Sequence, residues 1–392
     1  MSLAIIGPAA LQILEKDNVR IILFSDIHGN AKKLPKMHEK IFNLDDFILT
    51  LMRYNSKNNK KTDLYVEVPC YTVKCTKGNE YVGQSRQDYN GWLGNVRKTT
   101  ESAISDNNPI NPTNNFLMNC RVHHIDARQN DELGYLDVLT WSGTFLQELI
   151  LSRDPMTIGN NNIIGTPVCV ILELLDVISV LINNADSMWN MYCDPFGFRN
   201  VLTVIKALEN LNKEGFSKAA RSIISLMTRN TTCRRDINVN GEIKRIQMHK
   251  IALQHYKLLN INKSVADFNY SSLYNKYKSV VQIFNDKHVI ENVKFSLKKY
   301  DILCPISKVD CMEELAHIIM YVILLGAFFM DMYAISRVLY NISDDIIIYA
   351  GGAHINTYYD LLQKHGYKSI LEVKQHNDDR VVCVEDIFLD LN

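Results

Sequence analysis

Hydrophobic positions change their spacing several times along the chain, and each change marks an element. Residues 19–25, VRIILFS, form a short apolar run rich in β-branched side chains behind the polar KDN, the pattern of a buried strand. A polar turn follows from Asp26 to Asn30. Leu34, Met37, Ile41, Leu44, Ile48 and Leu51 then recur at helical spacing, which predicts a helix over 31–52. SKNNKKTD reads as a loop, and LYVEV (64–68), stopped by Pro69, as a second strand. Together these predict a β-α-β unit, because parallel strands need such a crossover.

Residues 70–117 are polar and rich in Gly, Asn and Thr, with turn signals such as NNPINPTNN, and are expected to form a loop insertion outside the core. Strand character returns at FLMNCRVHHID (116–126). From 133 to 300 the pattern is mostly helical, with apolar stretches at 163–182 and 201–210, and a long helix is predicted over 312–339. Within it, IIMYVILLGAFFM (318–330) is uninterrupted apolar between His317 and Asp331. That run is shorter than the ~20 residues of a membrane span, so it is expected to be a core helix, with no membrane partner. DIIIYAGG (345–352) reads as a strand ending in a glycine turn, INTYYDLLQKHG as a helix with a Gly stop, and YKSILEV and RVVCVEDIFL as two further strands.

With α/β patterning at both ends, the expected fold class is α/β. Its central, mainly parallel sheet is built from both chain ends and carries a large, mostly helical insertion. Residues 1–132 would supply the first half of the core with the 70–117 loop, 133–300 the helical insertion, and 301–392 the second half.

Composition narrows the function classes. The 392 residues include 43 Lys+Arg and 43 Asp+Glu, a net charge of zero, so no nucleic-acid partner is expected, since phosphate-driven binding needs a basic excess. With 47% hydrophobic and 22% charged residues the chain has a globular composition. Nine cysteines form no CxxC pair, and Cys70 and Cys75 have no second pair at zinc spacing, which points to reduced thiols in a cytoplasmic compartment. The first twenty residues lack the basic region of a signal peptide. Function is therefore expected to reside in a site rather than in bulk charge.

In an open α/β sheet ligands bind beyond the C-terminal ends of the strands. The first strand ends in Ser25-Asp26-Ile27-His28-Gly29, and the second contains Glu67. The third ends in Arg121, His123, His124, Asp126 and Arg128, and the late strand in Gly351-Gly352-Ala353-His354. Histidines and carboxylates at four strand ends suit a metal site or a general acid–base pair. Alternation sends His123 and His124 to opposite faces. His354 follows two glycines that would permit close backbone approach. Asp331, Tyr333 and Arg337 close the long helix; Tyr333 and Arg337, four apart, share a face, and Arg337 is either a helix C-terminal cation or a stabiliser of an anionic group.

These strand ends resemble the erythromycin esterase, ChaN, TraB and Tiki superfamily, whose hallmark is two GxxH-type motifs with a Glu between them. Gly351-Gly352-Ala353-His354 is similar to the late motif, LYVEVP to the strand that supplies Glu67, and IILFSDIHG to the early motif, with Ser25 in place of Gly and Asp26 in place of Glu. Arg337 resembles an Arg found on the helix before the last motif. The matched parts cover about 120 residues at the two ends, and the layout also resembles uncharacterised proteins of large cytoplasmic DNA viruses. The resemblance implies a hydrolase of an ester or amide in a small molecule or peptide, located in host cytoplasm or virion. His28, Glu67 and His354 would be catalytic or hold a divalent metal, Asp26 would orient His28, and Arg337 with Arg121 or Arg128 would stabilise negative charge. His123 and Tyr333 complete the candidate substrate-binding set. Asp26-Ile27-His28-Gly29-Asn30 also resembles the first motif of calcineurin-like metallophosphoesterases, whose later motifs have no match here. A non-catalytic host-interaction protein on a degenerate hydrolase fold is a third reading. The oligomeric state is not legible.

Overall fold

The computed structural model of the chain describes residues 2–26, 40–67, 72–76, 80–84, 92–103, 119–125, 143, 146–147, 149–158, 160–184, 234–239, 242–247, 271–286, 288–340, 343–374 and 381–385. Two strands that the hydrophobic pattern did not announce open the chain, β1 (Ser2–Ile6) and β2 (Ala10–Lys16). β2 turns back into β3 (Val19–Asp26) through a two-residue loop. Asp17 and Asn18 there both have positive φ, 50° and 67°. A tight hairpin of this hand needs that pair of conformations, and Asp and Asn tolerate it better than most residues.

β4 (Lys40–Asn43) leads directly into α1 (Leu44–Lys57). The helix predicted over 31–52 thus begins later: Ile41 is a strand residue paired with Ala4, and residues 27–39 lie outside the described residues. β5 (Thr62–Val66), β6 (Thr72–Thr76), β7 (Glu80–Gln84), α2 (Trp92–Ala103) and β8 (Cys120–His124) follow. α2 buries Leu93 and Val96 in the same apolar cluster as α1, so part of the polar 70–117 stretch belongs to the core.

The middle of the chain holds the hairpins β9 (Pro155–Ile158) with β10 (Asn161–Ile164) and β11 (Arg234–Val239) with β12 (Glu242–Gln247). Its helices include α3 (Val168–Asn183), α4 (Ser271–Asp286) and α5 (Val289–Leu297). The 29-residue α6 (Met312–Tyr340), β13 (Asp345–Gly351), α7 (Gly352–Lys364), β14 (Lys368–Lys374) and β15 (Val381–Glu385) complete the chain. α7 stops at Gly366, whose φ of 90° and amide bond to Gln363 O close the helix as the sequence predicts.

The six-stranded sheet has the order β14-β2-β3-β13-β5-β8. β3, β13, β5 and β8 run parallel, whereas β2 is antiparallel to both its neighbours, β3 and β14, so the fold is α/β with a mixed sheet that is parallel at its centre. β13, from the C-terminal part, lies between β3 and β5 from the N-terminal part, with Asp345 opposite Arg20 and Gly351 opposite Asp26. A second sheet, β15-β1-β4, joins the two ends of the chain again.

Strand alternation divides the apolar side chains between two layers. Ile346, Ile348 and Ala350 join Leu23 and Tyr65 under α3 to α7. Ile347 and Tyr349 join Phe24, Leu64 and Val66 under α1 and α2.

α6 buries a stripe of Leu315, Ile318, Val322 and Leu325 and leaves Met320, Ile323 and Leu324 exposed. Its Met312–Met332 segment is by length and composition apolar enough to cross a membrane, and 53% of it is buried within the protein. Cys120, Cys169, Cys304 and Cys311 are free, and burial pushes the Cys120 thiol up to about 12.

Candidate functional site

At the C-terminal ends of β3, β13 and β5 the chain leaves the sheet through Asp26, Gly351 and Glu67. Glu67 continues the ladder by one residue, its amide donating to Tyr349 O at 3.0 Å, which holds its side chain at the sheet edge. Residues 63, 65 and 67 alternate onto the face covered by α6 and α7. The Glu67 carboxylate, 6% exposed, accepts a 2.6 Å hydrogen bond from Gly351 N–H through Oε2. Its other oxygen, Oε1, faces His354 Nε2 at 3.6 Å.

His354 sits in the first turn of α7, directly beyond β13, where the glycine turn delivers it to the same edge. Its second ring nitrogen, Nδ1, lies 2.5 Å from Asp331 Oδ1 on α6. The imidazole is therefore held between two carboxylates from two other elements, with a hydrogen bond on one side and a wider gap on the other. The Tyr358 ring stacks beneath it at 6.4 Å, one helical turn along α7.

Asp331 is 4% exposed. Burial raises its pKa above the usual aspartate range, against the opposing pull of the His354 ring and the Tyr358 hydroxyl, and the Glu67 carboxylate adds to the rise. The sequence places Asp331 at the close of a helix but assigns it no part in the site. The available signal was that Asp331 is the one charged side chain between His317 and Arg337 in an apolar helix.

The other predicted residues distribute as follows. Asp26 lies at the same sheet edge, and its Oδ1 accepts a 2.9 Å hydrogen bond from the buried Tyr349 hydroxyl, which belongs to the layer under α1 and α2. One of its oxygens is thus committed across the sheet from Glu67. His28 and Arg128 lie outside the described residues. Arg121 belongs to β8, and Tyr333 and Arg337 belong to α6 C-terminal to Asp331; their side chains are likewise outside the description.

The described partners of His123 are Asp63 and Tyr65. Its Nε2 lies 3.1 Å from Asp63 Oδ1, its ring stacks on Tyr65 at 4.5 Å, and Ser343 donates to Asp63 Oδ2 at 2.5 Å. Because Asp63 accepts from both partners, the hydroxyl is not activated by the histidine, and this buried cluster ties β5, β8 and the start of β13 together.

For a divalent metal, the described donors are His354 Nε2 and Glu67 Oε1. Ligand bonds of about 2.1 Å at a tetrahedral angle would set two such donors roughly 3.4 Å apart, close to the observed spacing. Asp331 on Nδ1 supplies the outer carboxylate that metal-bound histidines usually have. Among the described residues, no group of three or more His, Cys, Asp or Glu side chains is gathered to hold an ion.

Compared with protein-family models, curated proteins and solved structures, the chain matches none.

Proposed function

We infer that the chain is a hydrolase of ester or amide bonds in a small molecule or peptide, with His354 and Glu67 as its catalytic pair. The observation that carries this reading is the His354 ring held at the C-terminal edge of adjacent parallel strands, with Asp331 on Nδ1 and Glu67 opposite Nε2. The 3.6 Å between Nε2 and Oε1 is too long for a direct hydrogen bond, and a water about 2.8 Å from each would bridge them.

In the proposed reaction Nε2 takes a proton from that water as its oxygen bonds to the substrate carbonyl carbon. The carbonyl electrons move to oxygen and return as the C–O or C–N bond breaks, and the proton on Nε2 passes to the leaving oxygen or nitrogen. Glu67, fixed by Gly351 N–H, orients the water and stabilises the imidazolium that forms. If a divalent metal is bound, His354 and Glu67 would hold it, and it would supply a more acidic water.

The resemblance to the erythromycin esterase and Tiki superfamily supports the same pair of residues. The test is hydrolysis of a panel of activated esters, aryl amides and a phosphodiester by purified full-length protein. His354→Ala and Glu67→Gln are expected to lower ester or amide turnover about 10²- to 10⁴-fold. Thermal unfolding is expected to change little in Glu67→Gln and to fall in His354→Ala, which strips the buried Asp331 of its ring partner. Cleavage of the phosphodiester alone, lost in Asp26→Ala and kept in Glu67→Gln, would replace this reading by the metallophosphoesterase one. Failure to cleave any member would favour the non-catalytic reading.

A further inference from the structure

We propose that Asp331 is the positioning residue of this centre: from within α6 it binds Nδ1 of His354 as N–H, so that the unprotonated Nε2 is presented to Glu67 and to substrate. The catalytic consequence rests on the hydrolase reading; the ring geometry does not.

Two observations carry the proposal. The first is the inequivalence of the two ring nitrogens. Nδ1 is 2.5 Å from a carboxylate oxygen, a short hydrogen bond, while Nε2 is 3.6 Å from the nearest Glu67 oxygen, beyond one. A neutral imidazole carries one proton, and a carboxylate can only accept, so the proton belongs on Nδ1 and the lone pair on Nε2. Glu67 does not compete for this role, because the Gly351 N–H on its Oε2 holds Oε1 3.6 Å from Nε2, beyond a direct hydrogen bond.

The second observation is where the carboxylate comes from. Asp331 is 4% exposed in an otherwise apolar stretch of a 29-residue helix. A buried carboxylate is costly unless paired, and a well-packed apolar residue there would serve the fold at least as well. Its placement is explained by the ring it holds. The other buried side chains described on α6 are apolar, and through Asp331 this helix reaches His354.

The experiment is ¹⁵N NMR of the intact chain with ¹⁵N-labelled histidine, in which the His354 ring signals are identified by their loss in His354→Gln. Wild-type His354 at neutral pH is expected to show a protonated Nδ1 and an unprotonated Nε2. In Asp331→Asn the amide can donate as well as accept, so the two tautomers are expected to mix. Asp331→Glu, which restores an acceptor-only group, is expected to return most of the Nδ1–H signal. In parallel, Asp331→Asn is expected to lower kcat about 100-fold or more with KM within about threefold, and Asp331→Glu to recover part of the loss.

An Nε2–H tautomer in the wild type, or an unchanged tautomer in Asp331→Asn, would overturn the proposal. The wild-type spectrum decides the point even if a variant fails to fold. The arms are separable. If the protein cleaves nothing but the tautomer is held by Asp331, the hydrolase reading falls and the positioning role stands. If His354 and Glu67 variants lose turnover while the tautomer ignores Asp331, the reverse holds.

Discussion

At Gly351 the missing Cβ is what lets Glu67 reach the backbone. A Cβ built there would lie 3.2 Å from Glu67 Oε2 and 3.8 Å from His354 Cδ2. The backbone of Gly351, φ −56° and ψ 145°, is open to any residue, so a substitution meets no backbone strain. The carboxylate alone would have to move, by a few tenths of an ångström. Gly351→Ala is therefore expected to unfold within about 1 °C of the wild type, a change below ~1 kcal/mol for a chain of this size. Hydrolysis should nevertheless fall roughly 10- to 100-fold, because the acid–imidazole geometry is displaced. Gly352→Ala is the control. Its Cβ would meet nothing closer than Asp26 O at 3.7 Å, an ordinary contact, and activity should be nearly unchanged. Equal losses in the two variants would show that the glycines matter for something other than room beside Glu67. The sequence motif Gly351-Gly352-Ala353-His354 implied close approach at both glycines, and the structure assigns it to the first.

The two ends of each central strand carry different chemistry. At the start of β13, Asp345 accepts from Arg20 Nε at 3.1 Å and Nη2 at 2.5 Å, and from Asn55 Nδ2 at 2.7 Å; Asn55 also donates to Thr62 at 3.0 Å. This network fastens β13 to β3, α1 and β5, about 20 Å along the strand from Gly351. Asp345→Ala would leave the Asn55 amide and the Arg20 guanidinium without their carboxylate. It is expected to cost about 3 kcal/mol in urea unfolding while the folded fraction hydrolyses substrate normally. Loss of turnover without loss of stability would contradict this division of labour along β13.

Legibility from sequence follows the same logic. VRIILFS and DIIIYAGG stand out because strands buried on both faces read as continuous β-branched runs. β2 does not, since an antiparallel strand leaving the core in Glu15 and Lys16 shows a weaker pattern. Ile41 fits a helical stripe with Leu44 and Ile48, yet it pairs with β1, a long-range contact that overrides local spacing. Glu67 and His354 were legible as strand-end residues. Asp331 and the Asp63–His123 pairing were not, because they depend on how α6 and β8 lie against the sheet rather than on any local motif.

For the molecule as a whole, the placement of β13 between β3 and β5 makes the two chain ends one cooperative unit. Every backbone partner of β13 in the ladder comes from residues about 280 or more positions earlier, and β15 repeats the link by pairing with β1. The site depends on this closure: Asp26 and Glu67 come from one end of the chain, and Gly351 and His354 from the other. Local opening of β13 alone would expose both ladders and the buried Tyr349, so it is expected to cost nearly as much as global unfolding. Native-state hydrogen exchange checks this. Amides of β3, β5 and β13 should share the slowest exchange and one free energy of opening, with the same denaturant dependence. If β13 exchanged through a separate, cheaper opening, the C-terminal part would be a detachable unit resting on a preformed N-terminal core, and the site would be formed transiently by docking. If the three strands exchange together, a fragment ending before β13 should lack both a stable sheet and hydrolysis, because the hydrogen bond that orients Glu67 is donated by Gly351.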